Sequence, residues 1–304
     1  MENRSCNNNQ MTLRASFYAI FLCMLFGGNA VAIKFSLSGV GPFTAAGLRF
    51  GISAFVIYIW ATFKKQPLRI NKKQALQLFI LSQFFIMQST FLYLGLTKTT
   101  ASHGVLIINL LPFFVMVMAH FFIPGDHITF KKVLGLICGF LGVVVLFFDN
   151  HGLSHDLIIG DLMILFTAFF WGCNIIYAKR IINDFNVIQI TWYPMVISTP
   201  LFLLGGYLWD SQMVKTLNST IINALLYQSV IAAAYGFIAW NNLLQKFGAT
   251  ALHSFIFLMP LSGVFFSVVL LGEPLSIYLV LSIMMIISGL FIVNIKFGNP
   301  NFKR

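Results

Sequence analysis

Charge is the scarcest property of this sequence. Asp, Glu, Lys and Arg together make up 9% of its 304 residues, against roughly 25% in a soluble domain. No stretch is polar for long enough to cover a water-facing surface, so a soluble globular fold is excluded. Acid is scarcer than base: eight Asp and Glu stand against 19 Lys and Arg, and no acid falls in the middle of an apolar run. The four cysteines (Cys6, Cys23, Cys138 and Cys173) lack metal-ligand spacing, and three of them sit in apolar runs as small buried thiols. There is no P-loop, no H-E-x-x-H, no G-x-S-x-G and no aspartate pair, which argues against ATP-driven, metallopeptidase and serine-hydrolase chemistry. No catalytic residue, metal ligand or cofactor is therefore expected. The first 13 residues are polar, contain Arg4, and do not resemble a secretory signal.

What the chain has instead is apolar length. Hydrophobic residues make up 59% of it, in runs of about 20 residues, enough to cross the hydrocarbon core as a helix. The runs are apolar on every side, whereas a barrel strand alternates. Ten spans are expected, near 14–36, 42–63, 74–96, 100–122, 132–148, 158–180, 188–209, 220–244, 249–271 and 276–296. The breaks between them, such as "SGVGP", "KKQPLRINKK" and "LGEPLS", combine Gly or Pro with polar or charged residues. An even span count puts both ends on one face. With that face cytoplasmic, 15 of the 19 basic residues lie inside, only Lys98 and Lys215 lie outside, and Lys34 and Arg49 lie within spans. The net charge of +11 is thus a topology signal, and no nucleic-acid partner is expected. The partners expected are the lipid bilayer and a small-molecule substrate. No soluble protein partner is implied, and monomer and homodimer stay open.

One spacing is written twice. "LFGGNAVAIK" (Leu25 to Lys34) and "FWGCNIIYAK" (Phe170 to Lys179) align with Gly27 on Gly172, Asn29 on Asn174 and Lys34 on Lys179, 145 residues apart. "LLP" ending at Pro112 meets "LMP" ending at Pro260, 148 apart, and Gly142 meets Gly289, 147 apart. The reading is a duplication: a tail over 1–13, a first five-helix repeat over 14–148, an outer loop over 149–157, a second repeat over 158–296 and a tail over 297–304. Because five is odd, the second repeat enters the membrane from the opposite side. The fold class expected is all-α integral membrane, with ten transmembrane helices as two inverted five-helix repeats around a central cavity. Inverted repeats are a signature of transporters, with the substrate site near the midplane.

The residues also resemble a known family. "GPFTAAGLRF", "GDLMILFTAFFWGCN", "LMPLSGVFFSVVLLGEPLS" and a late Gly in spans five and ten are similar to the EamA-like branch of the drug/metabolite transporter superfamily. The corresponding "FIPGDHITF" of the first half carries Asp126 where the family often has Glu. The resemblance implies a ten-helix metabolite carrier, often an exporter of amino acids or related compounds, and it does not specify the substrate. Open alternatives are an importer of a nucleotide-like or cofactor metabolite, and a membrane scaffold or receptor that transports nothing.

The polar residues inside spans are the candidates for substrate binding, because an unpaired amide in hydrocarbon costs several kcal/mol. They are Asn29, Gln88, Asn109, Asn174 and Asn241, with Trp171 and Tyr235 as aromatic lining and Pro112 and Pro260 as gating bends. Each has a plainer alternative. The amides suit interhelical hydrogen bonds, Asn109 suits repair of the ladder before Pro112, and the aromatics suit core packing. Trp240 and Tyr177 are read as belt or core. Arg49 needs a partner that its own helix does not supply. Asp161 is expected to pair with Lys34 or cap an exposed helix end, and Glu273 to cap the tenth helix. With no central acid, transport is expected to be facilitated or exchange, not ion-driven. Labelling of single cysteines introduced near each end should place both on the cytoplasmic face; ends on opposite faces would refute the even span count.

Overall fold

A computed structural model describes residues 12–123, 130–146, 148, 155–240, 242–243, 246–247, 255–256 and 258–294. Nearly all of them are helical. The helices are α1 Leu13–Gly27, α2 Asn29–Leu37, α3 Pro42–Phe63, α4 Lys72–Lys98, α5 Ala101–Ile108, α6 Leu111–Phe122, α7 Phe130–Leu146, α8 His155–Ile181 and α9 Val187–Trp209. They continue with α10 Ser219–Leu226, a π-helical segment Tyr227–Gly236, α11 Leu258–Leu271 and α12 Ile277–Asn294. Seven stretches are long and apolar enough to cross a bilayer when α1–α2, α5–α6 and α10 with the π segment are each counted as one, and three shorter apolar helices accompany them. Among the described residues there is no strand, only one isolated bridge between Val40 and Val214. The chain is a multi-pass helical membrane protein.

Three expected spans are not continuous helices, for local reasons. Span one breaks at Gly28, between α1 and α2. Gly27 there lies so close to α11 that an added Cβ would sit 2.8 Å from the Gly263 nitrogen and 2.9 Å from the Met259 oxygen. Span four breaks at Asn109 and Leu110, just before Pro112, the second residue of α6. Proline has no N–H to give back to Ile108 in the preceding turn, and the Asn109 side chain folds back on α5, donating to the Val105 carbonyl at 2.7 Å beside its own backbone N–H at 3.2 Å. Span eight loosens into π-helix from Tyr227. Pro260 stands third in α11, in the first turn, where proline is tolerated.

The closest packing pairs α7 with α12, α4 with α8 and α3 with α9. Helices α7 and α12 meet through small residues: Ser282 Oγ donates to the Gly142 carbonyl at 2.6 Å, and a Cβ on Gly289 would stand 2.6 Å from the Gly135 oxygen and 2.9 Å from the Gly139 nitrogen. Helices α3 and α9 are tied at both ends. At one end Asp210, just past α9, caps α3 by accepting from Thr44 N at 2.9 Å and Thr44 Oγ1 at 2.7 Å. At the other, Gln189 and Tyr193 near the start of α9 donate to the Arg69 and Leu68 carbonyls beyond α3, at 3.0 and 2.7 Å.

Gly289→Val should lower the unfolding temperature of the purified protein, at a cost of about 1–3 kcal/mol for overpacking, because the obstructing atoms are backbone. An unchanged melting curve would show that α7 and α12 do not approach as described.

Candidate functional site

Helices α2 and α3 each pack on α4 and on the π segment, a side-chain hydrogen bond joins these last two, and between them lies a buried polar cluster. Arg49 lies seven residues beyond Pro42 on α3, about 10 Å along the helix, and is only 6% exposed. Its guanidinium carbon lies 5.4 Å from the Phe50 ring centroid, and it is an electrostatic neighbour of the Tyr93 hydroxyl. Tyr93, on α4, donates to Gln228 Oε1 at 2.7 Å. Gln228 and Ser229 are fully buried on the π segment, and Ser53 Oγ ties α3 to that segment by donating to the Ser229 carbonyl at 2.9 Å. Lone π turns occur often at functional sites. Here the π segment carries the two polar residues that reach α3 and α4.

Several buried polar atoms have no partner. On the donor side they are Arg49 Nε, Arg49 Nη1 and Gln228 Nε2; on the acceptor side they are Asn29 Oδ1, Gln88 Oε1 and Gln77 Oε1. An arginine stays charged inside proteins, and taking it out of water costs several kcal/mol unless something compensates. No ion pair joins Arg49 to any described acid. Each described acid is already engaged: Asp156 with Lys98, Asp161 with Thr99 and His103, Asp184 with Gln77 at 3.4 Å, Asp210 with Thr44 and Glu273 with Ser102.

The residues singled out from sequence divide. Gln88 is buried with a free acceptor, while Gln83 is exposed and bonds within its own helix. Asn29 opens α2 with its oxygen unpaired. Its repeat mate Asn174 donates to the Leu81 carbonyl on α4 at 3.2 Å, an interhelical tie. Asn109 is spent on α5. Trp171 is half-buried. Tyr235 is 44% exposed and its hydroxyl bonds that of Tyr18 at 2.7 Å, so it stands apart from the buried cluster. Tyr177 and Trp240 pack on Phe84 and Phe26. Asn241, Asp126, residues 1–11, residues 297–304 and most of the 149–157 loop lie outside the described residues. Gln228 was not singled out from the sequence, although an amide in an apolar span is the signal that picked out Gln88. Arg49 was noted only as lacking a partner.

Two acids sit differently from expectation. Asp161 neither pairs with Lys34 nor caps an exposed end. It is fully buried in α8, accepts from Thr99 Oγ1, and meets His103 Nδ1 at 2.9 Å. Glu273 caps α5 instead of the tenth helix, accepting from Ala101 N at 2.7 Å, Ser102 N at 2.9 Å and Ser102 Oγ at 2.6 Å. The α5 N-terminus exposes free N–H groups and a positive dipole end, which a carboxylate satisfies. The half-buried Lys34 is an electrostatic neighbour of Glu273. A cavity of about 50 Å³ lies among Thr100, Ser102, His103, Glu273 and Leu279.

A family model described as the EamA-like transporter family matches residues 13–148 and again 158–295. A probable amino-acid metabolite efflux pump of Salmonella typhimurium is 27% identical over 291 residues, covering 93% of this chain and 95% of its own. A protein of the same description from Escherichia coli is 25% identical over 290 residues with the same coverage. An uncharacterized transporter of Bacillus subtilis is 26% identical over 287 residues, covering 93% of this chain and 92% of its own. One protein of known crystal structure superposes with a TM-score of 0.67 at 19% identity, over 93% of this chain and 97% of that one; at that identity the likeness carries the fold alone.

Asp161→Ala should destabilise the purified protein by about 1–3 kcal/mol, the cost of leaving buried hydrogen-bond partners on Thr99 and His103 unsatisfied, seen as a fall in unfolding temperature. Asp156→Ala, which removes an exposed pair, should leave the temperature unchanged. Equal effects would show that Asp161 is not buried against His103.

Proposed function

Because the chain belongs to the EamA-like transporter family, we propose that it is a secondary carrier for an amino acid or related zwitterionic metabolite, working outward or in exchange by alternating access. The observation that carries this reading is the set of unpaired buried atoms on Arg49, Gln228, Gln88 and Asn29, which holds both donors and acceptors. A solute with a carboxylate and an ammonium group supplies what each lacks. The two relatives described as probable amino-acid metabolite efflux pumps support the same class.

Alternating access follows from two inverted five-helix halves. Two successive matches to one family model support the duplication. So does the pairing of α3 with α9 and of α7 with α12, which join the second spans and the fifth spans of the two halves. The clamps between α3 and α9 also trade places: the loop after each helix holds the start of the other. Both ends are proposed to be cytoplasmic, from the distribution of basic residues. The carrier is proposed to work in the bilayer without a soluble protein partner, as monomer or homodimer.

Two energy couplings are open. Facilitated exchange is the first reading. Proton-linked exchange is the second, favoured by the buried Asp161–His103 pair, since intramembrane acid and histidine chains are common proton relays. Proteoliposomes loaded with unlabelled amino acids should take up the labelled forms by counterflow with no ion gradient imposed. Uptake that occurs only under a proton gradient would replace the first coupling with the second. Absence of uptake across the amino-acid set under either condition would refute the amino-acid carrier reading.

A further inference from the structure

Arg49 presents the sharpest imbalance in the molecule. A permanent cation is enclosed among α3, α4 and the π segment, two of its nitrogens have no acceptor, and every described acid is committed elsewhere. Its near neighbours are an aromatic face and a hydroxyl whose proton is already given to Gln228. The tyrosine hydroxyl oxygen and the ring lessen the charge's isolation without neutralising it. Gln228 turns its oxygen to Tyr93 and leaves its Nε2 donor unfilled. Three donors without acceptors, around one buried positive charge, define a place for an anion.

We propose that Arg49, with Gln228 Nε2 beside Tyr93, is the subsite that holds the carboxylate of the transported solute. This rests on the carrier reading and deepens it by assigning the anionic end of the solute to named atoms. A single guanidinium matches a monoanion. A phosphate dianion calls for a second cation, and Lys34 is placed beside Glu273. The unpaired oxygens of Gln88 and Asn29 are acceptors suited to the ammonium end. Discrimination follows from the same cost: a solute that lacks the carboxylate leaves the buried cation uncompensated, and sites built on buried polar groups reject analogues that fail to pair them.

The experiment is thermal unfolding of the purified full-length protein with each common L-amino acid, each beside its own amide, and with acetate, benzoate and inorganic phosphate. At least one carboxylate should raise the unfolding temperature while its matching amide does not. Arg49→Gln should weaken that response at least about tenfold in concentration, as expected for loss of a hydrogen bond to a charged group, and Arg49→Lys should retain part of it. Gln228→Glu places a carboxylate of the protein's own beside Arg49. It should raise the unfolding temperature without solute and abolish the carboxylate response, and it decides the matter if Arg49→Gln does not fold. The proposal fails if acid and amide act alike, if phosphate alone stabilises, if no carboxylate stabilises, or if the response survives Arg49→Gln or Gln228→Glu. These failures are distinct from failure of the carrier reading. Counterflow that persists in Arg49→Gln refutes the subsite and leaves the carrier. An Arg49-dependent carboxylate response with no counterflow refutes the carrier and leaves the subsite.

Discussion

Hydrocarbon offers no hydrogen bonds, and this constraint governs the molecule. Every N–H and C=O within the bilayer must find its partner in protein. Within a continuous helix the interior groups pair with one another, as along Pro42–Phe63, and only the ends need other partners. Helix starts leave N–H groups unpaired, and nearby side chains take them up. Glu273 and Asp210 each take the free N–H groups at a helix start. Asn71 and Asn186 do the same in capping boxes at the starts of α4 and α9.

The acids are few, and this structural use consumes them. Asp210 and Glu273 serve helix starts, Asp156 meets Lys98, and Asp161 is buried with Thr99 and His103. Arg49 is thereby left without a counter-charge among the described residues. Its isolation is not a local accident of α3. It follows from how the scarce negative charge is spent across the bundle, and a solute that brings its own negative charge completes what the chain withholds.

Much of the architecture was readable from residue order. Apolar length and the breaks between runs located the helices to within a few residues, as at Val187–Trp209 against the expected 188–209. The interruptions were less readable. Pro112 announces one, but the π segment, "YQSVIAAAYG", carries no proline and no other break signal before its closing Gly236. The direction in which a polar side chain points was less readable than its presence. Gln88 faces inward and Gln83 outward although both are amides in one helix; which way each points depends on the turn it occupies and on the helix beside it. The destination of Glu273 was not readable either, because α5, which it caps, lies more than 160 residues earlier in the chain.

On the carrier reading, the distribution of hydrogen bonds separates what moves from what holds. Along the seam between α5 and α11, Ser267 bonds within its own helix, to the Gly263 carbonyl, while Ser262 bonds the Leu258 carbonyl and reaches the Cys23 carbonyl of α1 only at 3.5 Å. Gly263 there meets Val105 and the Gly27 carbonyl without a side chain of its own. Between α5 and α11 such a surface slides or rocks at the cost of few hydrogen bonds between helices. At the α5 N-terminus the situation reverses. The three contacts to Glu273 and the pair from Asp161 to Thr99 and His103 all cross between helices. Moving α5 away from that end requires these bonds to be released or exchanged for water, so that end carries the larger barrier. A loaded carrier offsets this only through contacts that differ between its two states. A buried cation that gains its counter-ion in one packing and loses it to water in the other is such a contact.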